Sequence, residues 1–378
     1  MELNPGQGFV EQSPMGSMKL WRHERHIVSC PSDPATVLLV DQLTFQPRIA
    51  RRFVGWFIHR VFVHRHEVLK ANLGGAQQVN RSLTLKRRIE STTSRTAEMT
   101  CLSRACSAFE TNRYYKSDDH IAPLLLPGGL KPLLHVSLAR KLFTKVAAPK
   151  GIYEYVIART KYIDAVFKQA LADQLDQVLI FGAGFDTRAI RFQDAMGSTR
   201  VFELDVPVTQ QAKIGQYQNR RVGVPPNLKF IAIDFDKESL PMKLDEAGFC
   251  KQRRSLFILE GLVMYLQPES VHETFQTIQD YAGKGSQVVF DYIYASVLRK
   301  EGIYYGETGI EQTVSGAGEQ WHFGIEKGQI EQFLARYAMQ LIDHKDAKDL
   351  EKAYFTDSNG KVIGRVNGTH CLVTAEKQ

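Results

Sequence analysis

The stretch Gln177-Val-Leu-Ile-Phe-Gly-Ala-Gly-Phe-Asp-Thr-Arg-Ala-Ile-Arg191 decides the fold of this chain. Val178–Phe181 is a short apolar run followed by glycines, which predicts a buried strand rather than a helix. Gly182 and Gly184 then permit a tight turn in which the backbone can approach a ligand, because neither residue carries a Cβ atom. Asp186 can cap the short helix that follows. This order of strand, glycine turn and helix N-terminus predicts the first crossing of a nucleotide-binding α/β sheet.

The residues around the turn narrow the choice of cofactor. A dinucleotide fingerprint needs a third glycine where Thr187 stands, and the Gly-Lys-Ser/Thr triplet of a P-loop does not follow. Asp186 is a poor neighbour for a pyrophosphate, because like charges repel each other. The turn therefore favours a cofactor without phosphates. S-adenosylmethionine, which carries a sulfonium and an ammonium group, meets that requirement.

Composition indicates a globular protein. The chain has 378 residues, of which 43% are hydrophobic and 24% charged, and it has a formal net charge of +7. The five cysteines have neither metal-ligand spacing nor the density of a disulfide scaffold, so we expect a reducing, cytoplasmic location and no metal site. No apolar run approaches the ~20 residues of a membrane-spanning helix.

Residues 1–94 differ from the rest of the chain in their pattern of charged and apolar residues. No acidic residue lies between Asp41 and Glu67, whereas arginines alternate there with aromatic and aliphatic side chains. One interpretation is a basic amphipathic helix that anchors the protein to RNA or a membrane surface. The other, which we adopt, is a poorly ordered basic extension, including the case of a misassigned start codon. We expect no specific nucleic-acid partner and leave the oligomeric state open.

Acidic residues recur at the ends of three predicted strands after the glycine turn. They are Glu203 and Asp205 in the strand Arg200–Asp205, Asp234 at the end of Leu228–Asp234 with Phe235 next to it, and Glu260 at the end of Ser255–Glu260. A carboxylate at the end of the second strand can accept hydrogen bonds from both hydroxyls of a ribose. Because the carboxyl ends of parallel strands share one crevice, these acids predict a single nucleoside site.

A helix before the sheet carries a charge on its apolar side. Glu154–Leu171 has apolar residues at helical spacing, and Arg159 lies within that stripe. A buried guanidinium needs an anionic partner, which can be a ligand or a core carboxylate. We predict a helical cap over residues 95–175 and a Rossmann-like core over 176–378. An aromatic, glycine-rich segment within 295–325 is a candidate lid.

Four motifs together resemble the class I S-adenosylmethionine-dependent methyltransferases, and within them the leucine carboxyl methyltransferase-like family of O-methyltransferases. These motifs are Ala158-Arg-Thr-Lys-Tyr-Ile-Asp164, Phe181-Gly-Ala-Gly-Phe-Asp-Thr-Arg188, Phe202-Glu-Leu-Asp-Val-Pro207 and Glu260-Gly-Leu-Val-Met-Tyr-Leu266. The resemblance runs from about Ala97 to the end of the sequence. It implies a doubly wound α/β sheet of seven strands with the last strand antiparallel.

The resemblance also implies roles for single residues. Arg159 would bind the methionine carboxylate, Gly182 and Gly184 would support the methionine moiety, and Asp186 would lie beside them. Asp205, rather than Glu203, would hold the ribose. Asp234 and Phe235 would flank the adenine, and Glu260 would lie near the cofactor's amino group. Asp234-Phe-Asp departs from the family's usual Asp-Leu-Arg.

The predicted reaction is methyl transfer to an oxygen of a small molecule or a protein terminus. A carboxylate acceptor is slightly favoured, because the sequence offers only Tyr265 and His322 as weak candidates for a general base. The Asn/Asp-Pro-Pro-Tyr/Phe element of amino-methyltransferases is absent after the fourth strand. Two alternatives remain: a nicotinamide-dependent Rossmann oxidoreductase, and a non-catalytic cofactor-binding module with a basic anchoring arm.

Overall fold

The computed structural model describes residues 2–4, 8–12, 18–30, 33–47, 95–126, 134–144, 148–233, 238–310 and 320–378. The chain divides into two units, Met1–Gln77 and Gln78–Gln378. The sequence predicts a boundary at residues 94 and 95, which lies 17 residues further along the chain than the one between these units.

The first unit contains four strands of one antiparallel sheet, in the order β1-β2-β3-β4. Their bounds are Glu2–Asn4 (β1), Gly8–Gln12 (β2), Met18–Cys30 (β3) and Asp33–Pro47 (β4). These strands lie within the region for which we predict a poorly ordered extension. The prediction of poor order depends on the glycine, proline and serine residues of this region. It does not take account of runs such as Thr36–Val40, which are rich in residues that favour strands. The basic-aromatic segment after Pro47 lies outside the described residues.

The second unit is built on a seven-stranded sheet. In chain order its strands are Gln177–Phe181 (β5), Arg200–Asp205 (β6), Leu228–Ala232 (β7), Ser255–Leu259 (β8), Gln287–Ile293 (β9), Met339–Lys345 (β10) and His370–Lys377 (β11). The spatial order is β10-β11-β9-β8-β5-β6-β7. Strands β5 to β9 are parallel, and β11 runs antiparallel to both of its neighbours. This topology confirms the predicted fold class.

Helices connect the strands and cover the sheet. In chain order the described α-helices are Arg95–Ala108 (α1), Ala122–Leu125 (α2), Ser137–Leu142 (α3), Ile152–Ala172 (α4), Arg188–Arg191 (α5), Pro207–Asn219 (α6), Leu240–Ala247 (α7), Pro268–Tyr281 (α8), Ala295–Leu298 (α9), Ile330–Ala335 (α10) and Ala347–Tyr354 (α11). None of the described helices has the length and hydropathy needed to cross a lipid bilayer.

Both faces of the sheet are buried, as expected for parallel strands with helices on each side. In β5, Val178 and Ile180 belong to the core that contains α1 and α4, whereas Leu179 and Phe181 belong to the core that contains α8 and α10. The alternation follows from the two-residue period of a strand. The carboxyl ends of β5, β6 and β8 therefore lie between two packed layers of described residues.

Candidate functional site

A cavity of about 340 Å³ lies at the carboxyl ends of the central strands. Six of the predicted cofactor-binding residues line it: Arg159, Gly182, Gly184, Asp186, Asp205 and Glu260. Tyr265 also lines it, whereas His322 is not among the lining residues. Asp234 and Phe235 lie outside the described residues. The structure thus brings together in one place most of the residues that the sequence scatters over about 100 positions.

The turn after β5 disfavours any residue other than glycine at two positions. Gly182 and Gly184 have φ values of +55° and +49°, a region that other residues rarely adopt. A Cβ atom on Gly182 would lie 3.2 Å from Leu262 Cδ1, and one on Gly184 would lie 3.3 Å from Ala97 Cβ. Both side-chain positions would also protrude where the cavity wall is formed. The turn therefore presents bare backbone to a ligand.

Asp205 joins this turn to the end of β6. Its carboxylate accepts hydrogen bonds from the backbone N–H of Gly184 and, at 2.7 Å, from that of Val206. Burial raises the pKa of Asp205 above its usual value, although the two backbone donors lower it. Asp205 is held in a fixed orientation at the cavity wall, where its remaining lone pairs can accept from a ligand's hydroxyls.

Glu203 lies on the same strand but does not reach the cavity. It is buried against the ammonium group of Lys213, which is itself buried on α6. Burial raises the pKa of Glu203 to about 7, although Lys213 lowers it. The structure thus places Asp205, and not Glu203, at the site, as the family resemblance implies.

The guanidinium of Arg159, on α4, lies between two carboxylates. Its Nη1 lies 2.7 Å from Asp291 Oδ2 and its Nε lies 3.0 Å from Glu260 Oε1. Asp291 is completely buried on β9, and it also accepts hydrogen bonds from Tyr155 Oη (2.7 Å) and from the backbone of Gly261 (2.5 Å). Burial alone would lower the pKa of Arg159, but Asp291 and Glu260 raise it above its usual value. The anionic partner that the sequence requires of Arg159 is therefore present in the protein itself.

Arg188 is a second buried arginine for which the sequence predicts no role. Its side chain contacts Glu260 Oε2 at 2.7 Å, Asp164 Oδ1 at 2.9 Å and the carboxylate of Asp186. Glu260 thus bridges Arg159 and Arg188. The sequence did contain a signal that Arg188 is buried. Arg188 lies two residues after Asp186, at the start of a short helix, and the next two residues, Ala189 and Ile190, are apolar.

The contact with Arg188 changes the interpretation of Asp186. Burial would raise the pKa of Asp186, but Arg188 and the neighbouring cations lower it to about 2. The carboxylate is ionised and already paired, so it does not present the unopposed charge that the sequence argument against a pyrophosphate assumes. Repulsion by Asp186 is therefore a weak argument against a pyrophosphate, and the missing third glycine at Thr187 remains the stronger one.

The opposite wall of the cavity is apolar and aromatic. Ile152 and Tyr155 contribute to it from α4, and Ile310, Trp321 and His370 contribute from the C-terminal half of the chain. Ile310 and Trp321 stand within the segment predicted as a lid, on either side of residues that the structure does not describe. His322 instead lies beside Met264, to whose carbonyl its backbone N–H donates at 2.8 Å. Sequence patterns gave no reason to select His370, since it lies at the start of a strand of buried residues.

The residues present fit S-adenosylmethionine. The glycine turn leaves space for a chain packed against the backbone, and Asp205 offers acceptors to ribose hydroxyls. Thr209 Oγ1 at the same end of the cavity is buried and has no hydrogen-bond partner among the described residues. The carboxylates near the methionine end suit a cation, and Arg159 suits an α-carboxylate. Within the described ranges, no three His, Cys, Asp or Glu side chains are grouped to hold a metal ion.

Comparison with known proteins gives two family matches. Residues 97–279 match the model of the leucine carboxyl methyltransferase family, and residues 1–73 match a domain of unknown function, DUF8410. A Bacillus subtilis protein named "Putative S-adenosyl-L-methionine-dependent methyltransferase YktD" is 26% identical over 201 residues, which are 53% of this chain and 66% of the relative. A Mycobacterium marinum protein with the same class name is 31% identical over 199 residues, 52% of this chain and 65% of the relative.

Among solved structures, a DUF574 family protein from Streptomyces avermitilis superposes with a TM-score of 0.49 at 12% identity, covering 77% of this chain and all of that one. The chain spans just under two thirds of the length of the two curated relatives.

The sheet topology is that of a Rossmann-like α/β methyltransferase fold, and the residues that line the cavity are compatible with S-adenosylmethionine. Residues 97–279, just under half of the chain, resemble the leucine carboxyl methyltransferase family, and the two curated relatives carry S-adenosyl-L-methionine-dependent methyltransferase in their names. These matches confirm both the recognition and the cofactor predicted from the sequence.

Proposed function

We propose that this protein transfers the methyl group of S-adenosylmethionine to an oxygen atom of a small molecule or a protein terminus. The observation that carries the proposal is the cavity itself. It joins a nucleoside-binding end, formed by the glycine turn and Asp205, to an apolar end formed by Ile152, Ile310 and Trp321. A methyl donor and an acceptor can therefore meet in one cavity.

The cofactor supplies an electrophilic methyl group on a sulfonium sulfur. The protein's contribution is then to position the reactants and to exclude water, since the displacement needs the attacking oxygen in line with the bond that breaks. Arg159 and Asp205 would hold the two ends of the cofactor. Because Glu260 and Asp291 fix Arg159, the binding geometry is set before the cofactor arrives.

Oxygen is favoured over nitrogen by the segment after β8. Glu260-Gly-Leu-Val263 occupies the place where amino-methyltransferases carry Asn/Asp-Pro-Pro-Tyr/Phe. In this chain Glu260 is engaged with two arginines, and Gly261 donates its backbone N–H to Asp291. No asparagine or proline carbonyl is placed there to polarise an amine.

Calorimetry with S-adenosylhomocysteine tests cofactor binding. Asp205→Asn should weaken affinity by about 1.5–3 kcal/mol, because a charge-assisted hydrogen bond to the ribose becomes a neutral one. The matched control is Asp194→Asn, which changes an exposed aspartate outside the cavity and should leave affinity unchanged. Equal affinity in the wild type and Asp205→Asn would remove Asp205 from the site.

The acceptor class is tested by incubating the protein with methyl-labelled S-adenosylmethionine and an extract of the cells that produce it. Label on oxygen is expected. Methyl esters release volatile methanol in mild base, whereas methyl ethers retain the label. Label recovered on an amine nitrogen would refute the oxygen assignment.

A further inference from the structure

His370 stands in the aromatic wall of the cavity with its ring held on two sides. It is the first residue of β11 and is only 5% exposed. Its imidazole stacks on the Tyr155 ring with centroids 4.4 Å apart, and the Trp321 indole meets it edge-on at 5.4 Å. A side chain packed in this way keeps one orientation relative to the cavity, as a group in catalysis must.

A chain of hydrogen bonds fixes which ring nitrogen of His370 carries the proton. Asn367 Nδ2 donates to the Lys150 carbonyl at 3.0 Å, which identifies Oδ1 as the other end of that amide. Thr369 Oγ1 lies 2.6 Å from Asn367 Oδ1 and must donate its only proton there. The same Oγ1 lies 2.7 Å from His370 Nδ1 and therefore accepts from it. Nδ1 thus carries the hydrogen, and Nε2 keeps a free lone pair.

Nε2 has no hydrogen-bond partner among the described residues, although the ring lines the cavity. Burial lowers the pKa of His370 to about 4, with Asp291 raising it and Arg159 lowering it further. The charged and titratable groups around the ring are these two residues and Tyr155, whose hydroxyl is itself hydrogen-bonded to Asp291. The imidazole is neutral at physiological pH, which is the form that accepts a proton.

We propose that His370 Nε2 is the general base of the reaction, and that the acceptor is an aromatic compound bearing a hydroxyl group rather than a carboxylate. The inference rests on the proposed methyl transfer and narrows its acceptor. An ionised carboxylate has no proton to give, and its oxygen would face the lone pair of Nε2. A hydroxyl donates to that lone pair, and its ring matches the surface of Ile152, Ile310 and Trp321. Trp321 Nε1 is buried without a partner among the described residues, so this wall also holds an unpaired donor.

The proton and electron pairs balance in a single displacement. The acceptor oxygen uses a lone pair to form its bond to the methyl carbon, and the bond from that carbon to sulfur breaks with its electron pair left on sulfur. The O–H proton passes to Nε2, because the oxygen becomes strongly acidic as its new bond forms. The resulting imidazolium returns the proton to solvent, and the products are a methyl ether and the neutral thioether S-adenosylhomocysteine.

The test uses nitrogen-labelled full-length protein saturated with S-adenosylhomocysteine, with 4-methylphenol and 4-methylbenzoate as matched probes. The His370 ring signals are assigned by their loss in His370→Asn. We expect the tautomer with hydrogen on Nδ1, a shift of the Nε2 signal on adding 4-methylphenol, and about tenfold weaker binding of 4-methylbenzoate. Hydrogen on Nε2, no shift with the phenol, or tighter binding of the benzoate would each overturn the proposal.

Two variants separate this inference from the proposed function. Thr369→Val removes the group that orients His370, so the tautomer with hydrogen on Nε2 should become populated while S-adenosylhomocysteine affinity is retained. In the extract assay, His370→Asn should lower label transfer about a hundredfold, and the wild-type product should be stable in base. A base-labile product would refute the hydroxyl acceptor and leave methyl transfer intact. Failure of the wild type to bind S-adenosylhomocysteine would refute the proposed function itself.

Discussion

Arg159 contacts two carboxylates of the protein and also lines the cavity. Removing such a group leaves buried charges without compensation, so its replacement must be conservative to be informative. The planar guanidinium can contact Glu260, Asp291 and a ligand at the same time, whereas an ammonium group is a point charge.

Arg159→Lys should therefore keep the positive charge but lose the planar group that contacts several carboxylates at once. We expect S-adenosylhomocysteine affinity to fall at least about tenfold, with a lower melting temperature, as measured by calorimetry and thermal denaturation. Lys168→Arg is a control on the same helix, away from the cavity lining, and should change neither quantity. Normal affinity in Arg159→Lys would indicate that Arg159 serves only the protein's own core.

His370 also predicts a dependence of stability on pH. Its pKa is lowered to about 4 in the folded protein from 6.5, so the unfolded chain binds the proton more readily. Stability from this group is complete above pH 6.5 and is lost as the pH falls towards 4, by about 3 kcal/mol in total. Glu203, whose pKa is raised to about 7, has the opposite sign between pH 4.5 and 7 and masks part of the effect.

The comparison of wild type with His370→Asn isolates the histidine, because Glu203 is common to both proteins. Urea unfolding at pH 7.5 and 4.5 should show that the wild type loses more stability than the variant between the two. Parallel losses in the two proteins would mean that the His370 imidazole is not desolvated in the folded state.

The glycine turn after β5 carries a prediction at the level of the element. Gly184→Ala places a Cβ at φ +49°, 3.3 Å from Ala97. We expect about 1 kcal/mol of destabilisation from the backbone conformation and weaker S-adenosylhomocysteine binding from the narrowed cavity. Gly197→Ala is the matched control, because Gly197 has φ +52° but open space around it.

Gly197→Ala should lower the free energy of unfolding, measured by denaturation. It should leave S-adenosylhomocysteine affinity, measured by calorimetry, unchanged. If both variants bind normally, the turn does not form the cofactor's contact surface.

The elements were more predictable than the site they build. β6 has the bounds that the sequence predicts, Arg200–Asp205, and β8 ends one residue before the predicted Ser255–Glu260, because buried parallel strands are apolar runs that end at turns or acids. The predicted helix Glu154–Leu171 corresponds to α4, which begins two residues earlier and ends one residue later.

The contacts of Arg188 and His370 could not be predicted from local pattern. Arg188 meets residues of α4 and of the segment after β8, and His370 stacks on Tyr155, 215 positions earlier in the chain. Periodicity and spacing describe neighbours along the chain, whereas these pairs exist only after the sheet is assembled. Asp205 could be chosen over Glu203 only through the family resemblance, since both lie on one face of β6.

For the whole molecule, the core of the second unit should not depend on the first. Every member of the two hydrophobic clusters formed by described residues lies at position 101 or later. A protein consisting of residues 95–378 should therefore keep its melting temperature and its S-adenosylhomocysteine affinity. Loss of soluble protein on truncation would show that residues before 95 stabilise the methyltransferase domain.

Strand β11 has a consequence for biosynthesis. It is the last strand in the chain, yet it lies between β9 and β10 and provides the partner to which β10 is hydrogen-bonded. Until residues 370–377 have been made and released, β9 and β10 lack the strand that pairs with both of them, which is when a chaperone would be most useful. A premature stop codon at position 370 would take away His370 and the strand that joins β9 to β10 together.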